Sequence, residues 1–242
     1  LELNIPIIET DNVNSDKLFN QLNDLNPDLF VVVAFSILPD RIIDIPKNGS
    51  INIHPSLLPK YRGSSPIQYA LLNGDEETGV SIINLNSKID SGTILAQKKF
   101  FIPNSANFGY MYEKLGIMGS ELLIKVIKDI QNKKSSPIIQ DESKKTLAPK
   151  IKKEQHKIDW NQSANQIHNQ IRAFDPYPGA YTFINNKRIK LFGSKIEDVE
   201  VLSECIAGQI LVENDLLLIK SNTRFISIYE VQLAGKNKVK SS

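Results

Sequence analysis

A chain of 242 residues, 41% hydrophobic and 23% charged, has enough apolar material for one large or two small domains, which excludes intrinsic disorder. A formal charge of only +2 excludes a basic field over the whole surface, so any nucleic-acid contact must be local. Cys205 is the single cysteine, which excludes an intrachain disulfide and a cysteine-rich zinc site and fits a reducing cytoplasm, the expected compartment.

Between residues 15 and 25, Leu18, Phe19, Leu22 and Leu25 recur at helical spacing behind Ser15 as cap. Asp28 then opens a continuous apolar run through Phe35, which reads as a buried parallel strand. Such runs fall far short of the roughly 18 residues a bilayer span needs, so no membrane association is expected. Further strands are predicted over residues 50–54 and 79–85, separated by a helix with Ser65 as cap and Pro66 in its first turn. Strands alternating with helices imply an α/β fold with an open parallel sheet, like that of nucleotide-binding domains. Residues 105–133 carry Phe108, Met111, Leu115, Met118, Leu122, Val126 and Ile130 on one helical face, which should pack across the sheet.

Residues 132–155 are rich in Lys, Ser, Pro and Gln and weak in periodicity, so the predicted organisation is a catalytic domain over 1–132, a linker over 133–157 and a second domain over 158–242. After a short helix over 164–173, five brief apolar runs follow, at 181–184, 189–192, 208–212, 216–219 and 225–231. They suggest a small OB-like β-barrel.

The segment from Ile51 to Gly63 carries the chemistry. A strand places Asn52 and His54 two residues apart and so on one face, and Pro55 ends it. In open α/β sheets ligands bind beyond the carboxyl ends of the strands, where both side chains would project. His54 can exchange a proton near neutral pH, and the Asn52 amide can donate to an oxygen gaining negative charge. Asp90, just past the third strand, could orient His54 or favour its charged form. Taken singly, each has an ordinary role as a strand-end hydrogen bonder, a satisfied histidine or a turn residue. Together they suit acyl transfer.

Asn-Ile-His-Pro-Ser-Leu-Leu-Pro-Lys-Tyr-Arg-Gly at residues 52–63 resembles the signature of the folate-dependent formyltransferases, with Asn52, His54 and Asp90 at catalytic positions. The branch acting on initiator methionyl-tRNA is favoured by similarity at residues 61–68, 75–80, 148–151 and 158–160, and by the stretches 171–180 and 232–236 in the second domain. The resemblance implies 10-formyltetrahydrofolate as donor and no metal. It implies that Asn52 and protonated His54 stabilise the oxyanion while Asp90 holds His54 and manages the amine proton. Ser56, Leu57, Leu58 and Pro59 would line the folate site, and Ala34, Phe35, Ser36 and Ile37 the pterin pocket. Arg62, Lys236, Lys238 and Lys240 would meet tRNA phosphates, with no role for DNA and a monomeric enzyme expected. Alternatives are a formyltransferase for an amino-sugar nucleotide or an inactive folate-binding remnant. The likeness departs at Asn86, Lys88 and Thr93, and a Lys88 cation near Asp90 would compete with His54 for the carboxylate. It also implies further strands before Leu1 and more chain after Ser242, so the chain reads as cut at both ends.

Overall fold

The computed structural model describes residues 5–35, 37–198, 205–213 and 215–241. Helix α1, Asp16–Asp24, begins where the Ser15 hydroxyl accepts the Leu18 N–H at 3.3 Å. Then come β1, Phe30–Val32; the short α2, Asp40–Ile43; and β2, Ser50–His54. They are followed by α3, Pro66–Asn73; β3, Glu77–Asn84; β4, Ile94–Phe101; and α4, Phe108–Gln131. The first sheet has the order β1-β2-β3-β4. Strand β1 runs parallel to β2, with Val32 opposite Asn52.

The α/β class is as expected, but the third strand, expected parallel, runs antiparallel to β2, and β4 pairs antiparallel with β3. A parallel crossover needs a dozen or more residues laid back along the sheet. Helix α3 has eight residues, ends at Gly74 in the left-handed region (φ 71°), and packs on other helices instead. Its cap position is Ser65, whose N–H goes to the Ala148 carbonyl while its hydroxyl makes no cap bond. The run after Asp28 is likewise not buried. It forms an edge strand, and Val31, Val33 and Phe35 are exposed. Strand β4 had no signal because Gln97, Lys98 and Lys99 interrupt its apolar residues, as suits an edge strand with a wet face.

Helix α4 lies across β3 and β4 and buries Met111, Leu115, Met118, Leu122 and Val126. Helix and sheet are close at Gly119, where a methyl group would sit 3.1 Å from Ile53 Cγ2. Residues 133–157 are tied down along the first domain: Ile138 bridges to Ile94, Leu147 bridges to Arg62, and Gln140 is buried.

The second domain opens with α5, Ala164–Ala173, over a capping box of Ser163 and Gln166. Strands β5, Ala180–Ile184; β6, Lys187–Glu197; β7, Ile210–Glu213; β8, Leu216–Lys220; β9, Phe225–Leu233; and β10, Val239–Lys240, build one antiparallel sheet. Its order is β5-β6-β9-β8-β7, with β10 on β9. All five expected runs are strands of this sheet; among the described residues no ladder joins β5 to β7. Helix α5 packs on α3 on one side and β6 on the other. One continuous core therefore runs from Ile82 and Met111 through Ile167 and Ile171 to Leu191 and Ile226.

Candidate active site

Strand β2 delivers Asn52 and His54 to the end of the sheet from which the loop after β1 also leaves, because the two strands are parallel. Beyond His54 the chain is locked onto β3 and β4. The Ser81 hydroxyl donates to the Ser56 carbonyl at 2.6 Å and accepts the Leu58 N–H at 3.1 Å, and Gln97 Nε2 donates to the Leu58 carbonyl at 2.9 Å. The Ser56 hydroxyl donates to the Lys60 carbonyl at 2.6 Å. Side chains of Ser56 and Leu58 are thus turned into the fold, and Leu57 and Pro59 stay half-buried. Ala34, Phe35 and Ile37 are exposed on the loop after β1, and Ser36 lies outside the described residues.

Because β3 is antiparallel, its end is remote from His54, and Asp90 reaches the site only because the loop 85–93 folds back. Asn86 Oδ1 accepts from the Lys88 N–H and the Ser91 hydroxyl, both at 3.0 Å, while Asn84 Nδ2 donates to Thr93 Oγ1 at 2.8 Å. Gln140 Nε2 donates to the carbonyls of Asp90 and Gly92 at 2.8 and 2.7 Å. The turn is tight enough that a methyl group on Gly92 would lie 1.6 Å from the Asn84 carbonyl oxygen. Asp90 takes a left-handed conformation (φ 49°), which a short polar side chain tolerates. Its Oδ2 accepts the Gly63 N–H at 2.8 Å and stands 3.5 Å from His54 Nδ1; Oδ1 is 3.5 Å from Asn52 Nδ2. The trio does converge. Lys88 is exposed and, among the described residues, forms no ion pair with Asp90.

His54 Nε2 meets the Tyr61 carbonyl at 2.9 Å. A carbonyl only accepts, so Nε2 carries the proton and Nδ1 faces the carboxylate. Burial pulls the His54 pKa below its ordinary value of 6.5, and the Asp90 charge and the Tyr61 carbonyl offset only part of that. Burial of the ring, which is 4% exposed, thus works against the imidazolium in the free site, and the Asp90 carboxylate works for it. Tyr61 is itself held in the left-handed region (φ 63°). Its hydroxyl donates to Asp75 Oδ2 at 2.8 Å and accepts from Asn73 Nδ2 at 2.9 Å. Burial first, then Asp75, pushes this phenol up to about 12 against the Asn73 bond.

Tyr61 and Gln140 were missed from sequence. Tyr61 sat inside the recognised segment, but its role comes from its carbonyl, and Gln140 lies in a polar stretch with no periodicity.

Arg62, expected to meet tRNA phosphates, is paired within the chain. It is 6% exposed, and its guanidinium donates to Gln140 Oε1 and, at 2.6 Å, to Glu142 Oε1. Lys236, Lys238 and Lys240 are exposed, although Lys238 pairs with Glu230 at 3.3 Å and lies 3.9 Å from the Phe192 ring centre. A second basic cluster escaped notice because strand alternation creates it. Arg188 and Lys190 share one face of β6, and the repulsion of both, after burial, lowers the pKa of His156. Among the described residues no group of three His, Cys, Asp or Glu is placed to hold a metal, and no helix is long and apolar enough to cross a membrane.

A folate-family signature on β2, an amide, imidazole and carboxylate brought together, and an antiparallel second domain define a formyl-transferring fold. Residues 7–127 match the formyl transferase model and residues 150–242 the formyl transferase C-terminal domain; the chain belongs to this family. The methionyl-tRNA formyltransferase of Listeria welshimeri is 40% identical over 241 residues, an overlap of 99% of this chain and 77% of that one. HypX from Aquifex aeolicus in complex with tetrahydrofolic acid shares the fold, with a TM-score of 0.73, 20% identity, and coverage of 93% of this chain and 40% of that one. WlaRD, a sugar 3N-formyl transferase crystallised with 5-N-formyl-THF, has a TM-score of 0.68, 25% identity and coverage of 89% and 77%.

Proposed function

We infer that this chain transfers a formyl group from 10-formyltetrahydrofolate to the amino group of methionine on initiator methionyl-tRNA, in the cytoplasm. The observation that carries this is the convergence of Asn52, His54 and Asp90 in a chain 40% identical, over nearly its whole length, to a methionyl-tRNA formyltransferase. Family membership and the formyl-folate in WlaRD support a folate donor. The residues present fit it: Asn52 Nδ2 has only a long 3.5 Å partner, so its donors are free for a carbonyl oxygen. The bound donor supplies a formyl carbon attached to a nitrogen that can leave as an amine.

As the methionine nitrogen bonds to that carbon, Asn52 donates to the oxygen that becomes negative. Neutral His54 accepts the amine proton at Nδ1, and Asp90 at 3.5 Å stabilises the resulting imidazolium. When the bond to the leaving nitrogen breaks, His54 returns that proton to it. The Nε2 bond to Tyr61 prevents the ring from turning away.

The test is formyl transfer to methionyl-tRNA by the chain, with Asn52→Ala and His54→Ala alongside. Loss of about 10²–10³ in kcat for Asn52→Ala is expected from removing one oxyanion donor. Turnover of the donor with an amino-sugar nucleotide and none with methionyl-tRNA would overturn the acceptor assignment.

A further inference from the structure

Between the two domains lies a cleft of about 800 Å³ whose lining includes none of Asn52, His54 and Asp90. Its size is that of a small-ligand site. Arg172, near the end of α5, lines it and is 9% exposed. Arg172 Nε donates to Asn169 Oδ1 at 3.0 Å; among the described residues its remaining donors have no protein acceptor and it pairs with no carboxylate. Its terminal N–H groups keep access to solvent in the cleft and, among the described residues, meet no carboxylate, so an anion entering the cleft finds them free. Burial lowers its pKa with nothing opposing, as befits such a cation.

The surrounding wall includes the neutral groups Asn104, Ser105, Asn165, Asn169 and Ser194, and Lys195, which pairs with Glu197 at 3.1 Å. His168 also faces it and holds the Ser194 hydroxyl at 2.8 Å. Three carboxylates, Asp75, Glu76 and Asp175, also line the cleft, and among the described residues none forms an ion pair with Arg172. Asp175 Oδ2 accepts the Gly193 N–H at 3.0 Å and Asp75 Oδ2 accepts from Tyr61, while Glu76 is exposed at the rim.

We propose that this cleft is a second binding site, taking a phosphate group on the Arg172 guanidinium with amide and hydroxyl donors around it. A planar fork of free N–H groups matches phosphate oxygens two at a time. The group can belong to a nucleic-acid backbone or to a free phosphate compound. The first source has a structural attraction, because Asn73 and Asp75 on the cleft wall hold the Tyr61 hydroxyl and the Tyr61 carbonyl holds His54. A strand whose end is at His54 would thus lay its phosphates along the adjoining wall.

The experiment follows the Nε–H resonance of Arg172 in the full chain during titration with inorganic phosphate at matched ionic strength. A saturable shift is expected. Asn169→Asp keeps an acceptor for Nε and adds the missing counter-charge, so it should fold and weaken phosphate binding by about tenfold or more. An unmoved resonance, or equal binding by Asn169→Asp, overturns the site. Phosphate binding at Arg172 does not rest on transfer at His54, so His54→Ala should abolish transfer and bind phosphate like the parent chain. The nucleic-acid source alone rests on the tRNA reading. A raised KM for methionyl-tRNA in Asn169→Asp, with the folate KM unchanged, identifies that source, and an unchanged tRNA KM alongside lost phosphate binding identifies a free phosphate compound.

Discussion

Replacing Asp90 by Asn removes a negative charge 3.5 Å from His54 Nδ1 and leaves an amide oxygen to accept the Gly63 N–H. The loop therefore keeps its hold while the charge is lost. Opposite charges at that separation attract by about 5 kcal/mol at an effective dielectric of about 20. Solvent reaches the Asp90 side chain, which is 13% exposed, so only part of this is available to the imidazolium formed during transfer. A loss of about 10³ in kcat is expected, within the range of general acid–base catalysis, with folate and tRNA KM values changed by less than about threefold. The charge also raises the His54 pKa, so its removal lowers that pKa further, and the acid limb of the kcat profile should move to lower pH. The assay is transfer rate against pH for both proteins, with circular dichroism to confirm the fold. A fall in kcat below about tenfold, or an acid limb that stays in place, would refute the coupling of the two residues.

Gly92→Ala forces a methyl group to within 1.6 Å of a backbone oxygen, so urea unfolding should show a loss of about 3 kcal/mol along with lost transfer. An unchanged midpoint would mean that the loop 85–93 is far more pliable than its bonds suggest. All three histidines, His54, His156 and His168, have pKa values lowered from 6.5, chiefly by burial. The unfolded chain then binds more protons than the folded one, so stability should be lost as pH falls below about 6.5, read as falling urea midpoints. Arg188→Gln and Lys190→Gln should each weaken tRNA binding and cut the salt dependence by about one unit of slope, leaving the folate KM alone. Unaltered salt slopes in both would remove β6 from the tRNA face.

Periodicity carried most of the fold. Helix α5 spans the residues expected of it, 164–173, and the apolar runs of the second domain are all strands. Strand direction was not legible, because the residues of β3 fit either pairing and α3 reveals only by its packing that it is not a crossover. The identities of Asn52, His54 and Asp90 were legible from a segment with a known likeness. The downward pull on the His54 pKa was not, since it comes from burial by residues distant in sequence. The surroundings of Arg62 were not legible either. A lone Arg beside a catalytic segment reads as a ligand contact, yet Gln140 and Glu142, in a stretch that looked like spacer, take up its donors.

The same stretch braces the Asn52, His54 and Asp90 cluster from a late position in the chain. Thr146 Oγ1 accepts the Tyr61 N–H at 2.8 Å, the Ala148 N–H donates to the Arg62 carbonyl at 2.7 Å, and Gln140 clasps both sides of the Asp90 turn. A nascent chain emerging from the ribosome carries all three reactive side chains long before Gln140 and Ala148 have been added. Until those residues dock, neither the carbonyl that orients His54 nor the turn that presents Asp90 is braced. The bracing of Tyr61 and of the Asp90 turn is therefore complete only after residues that follow the whole first sheet in the chain have docked.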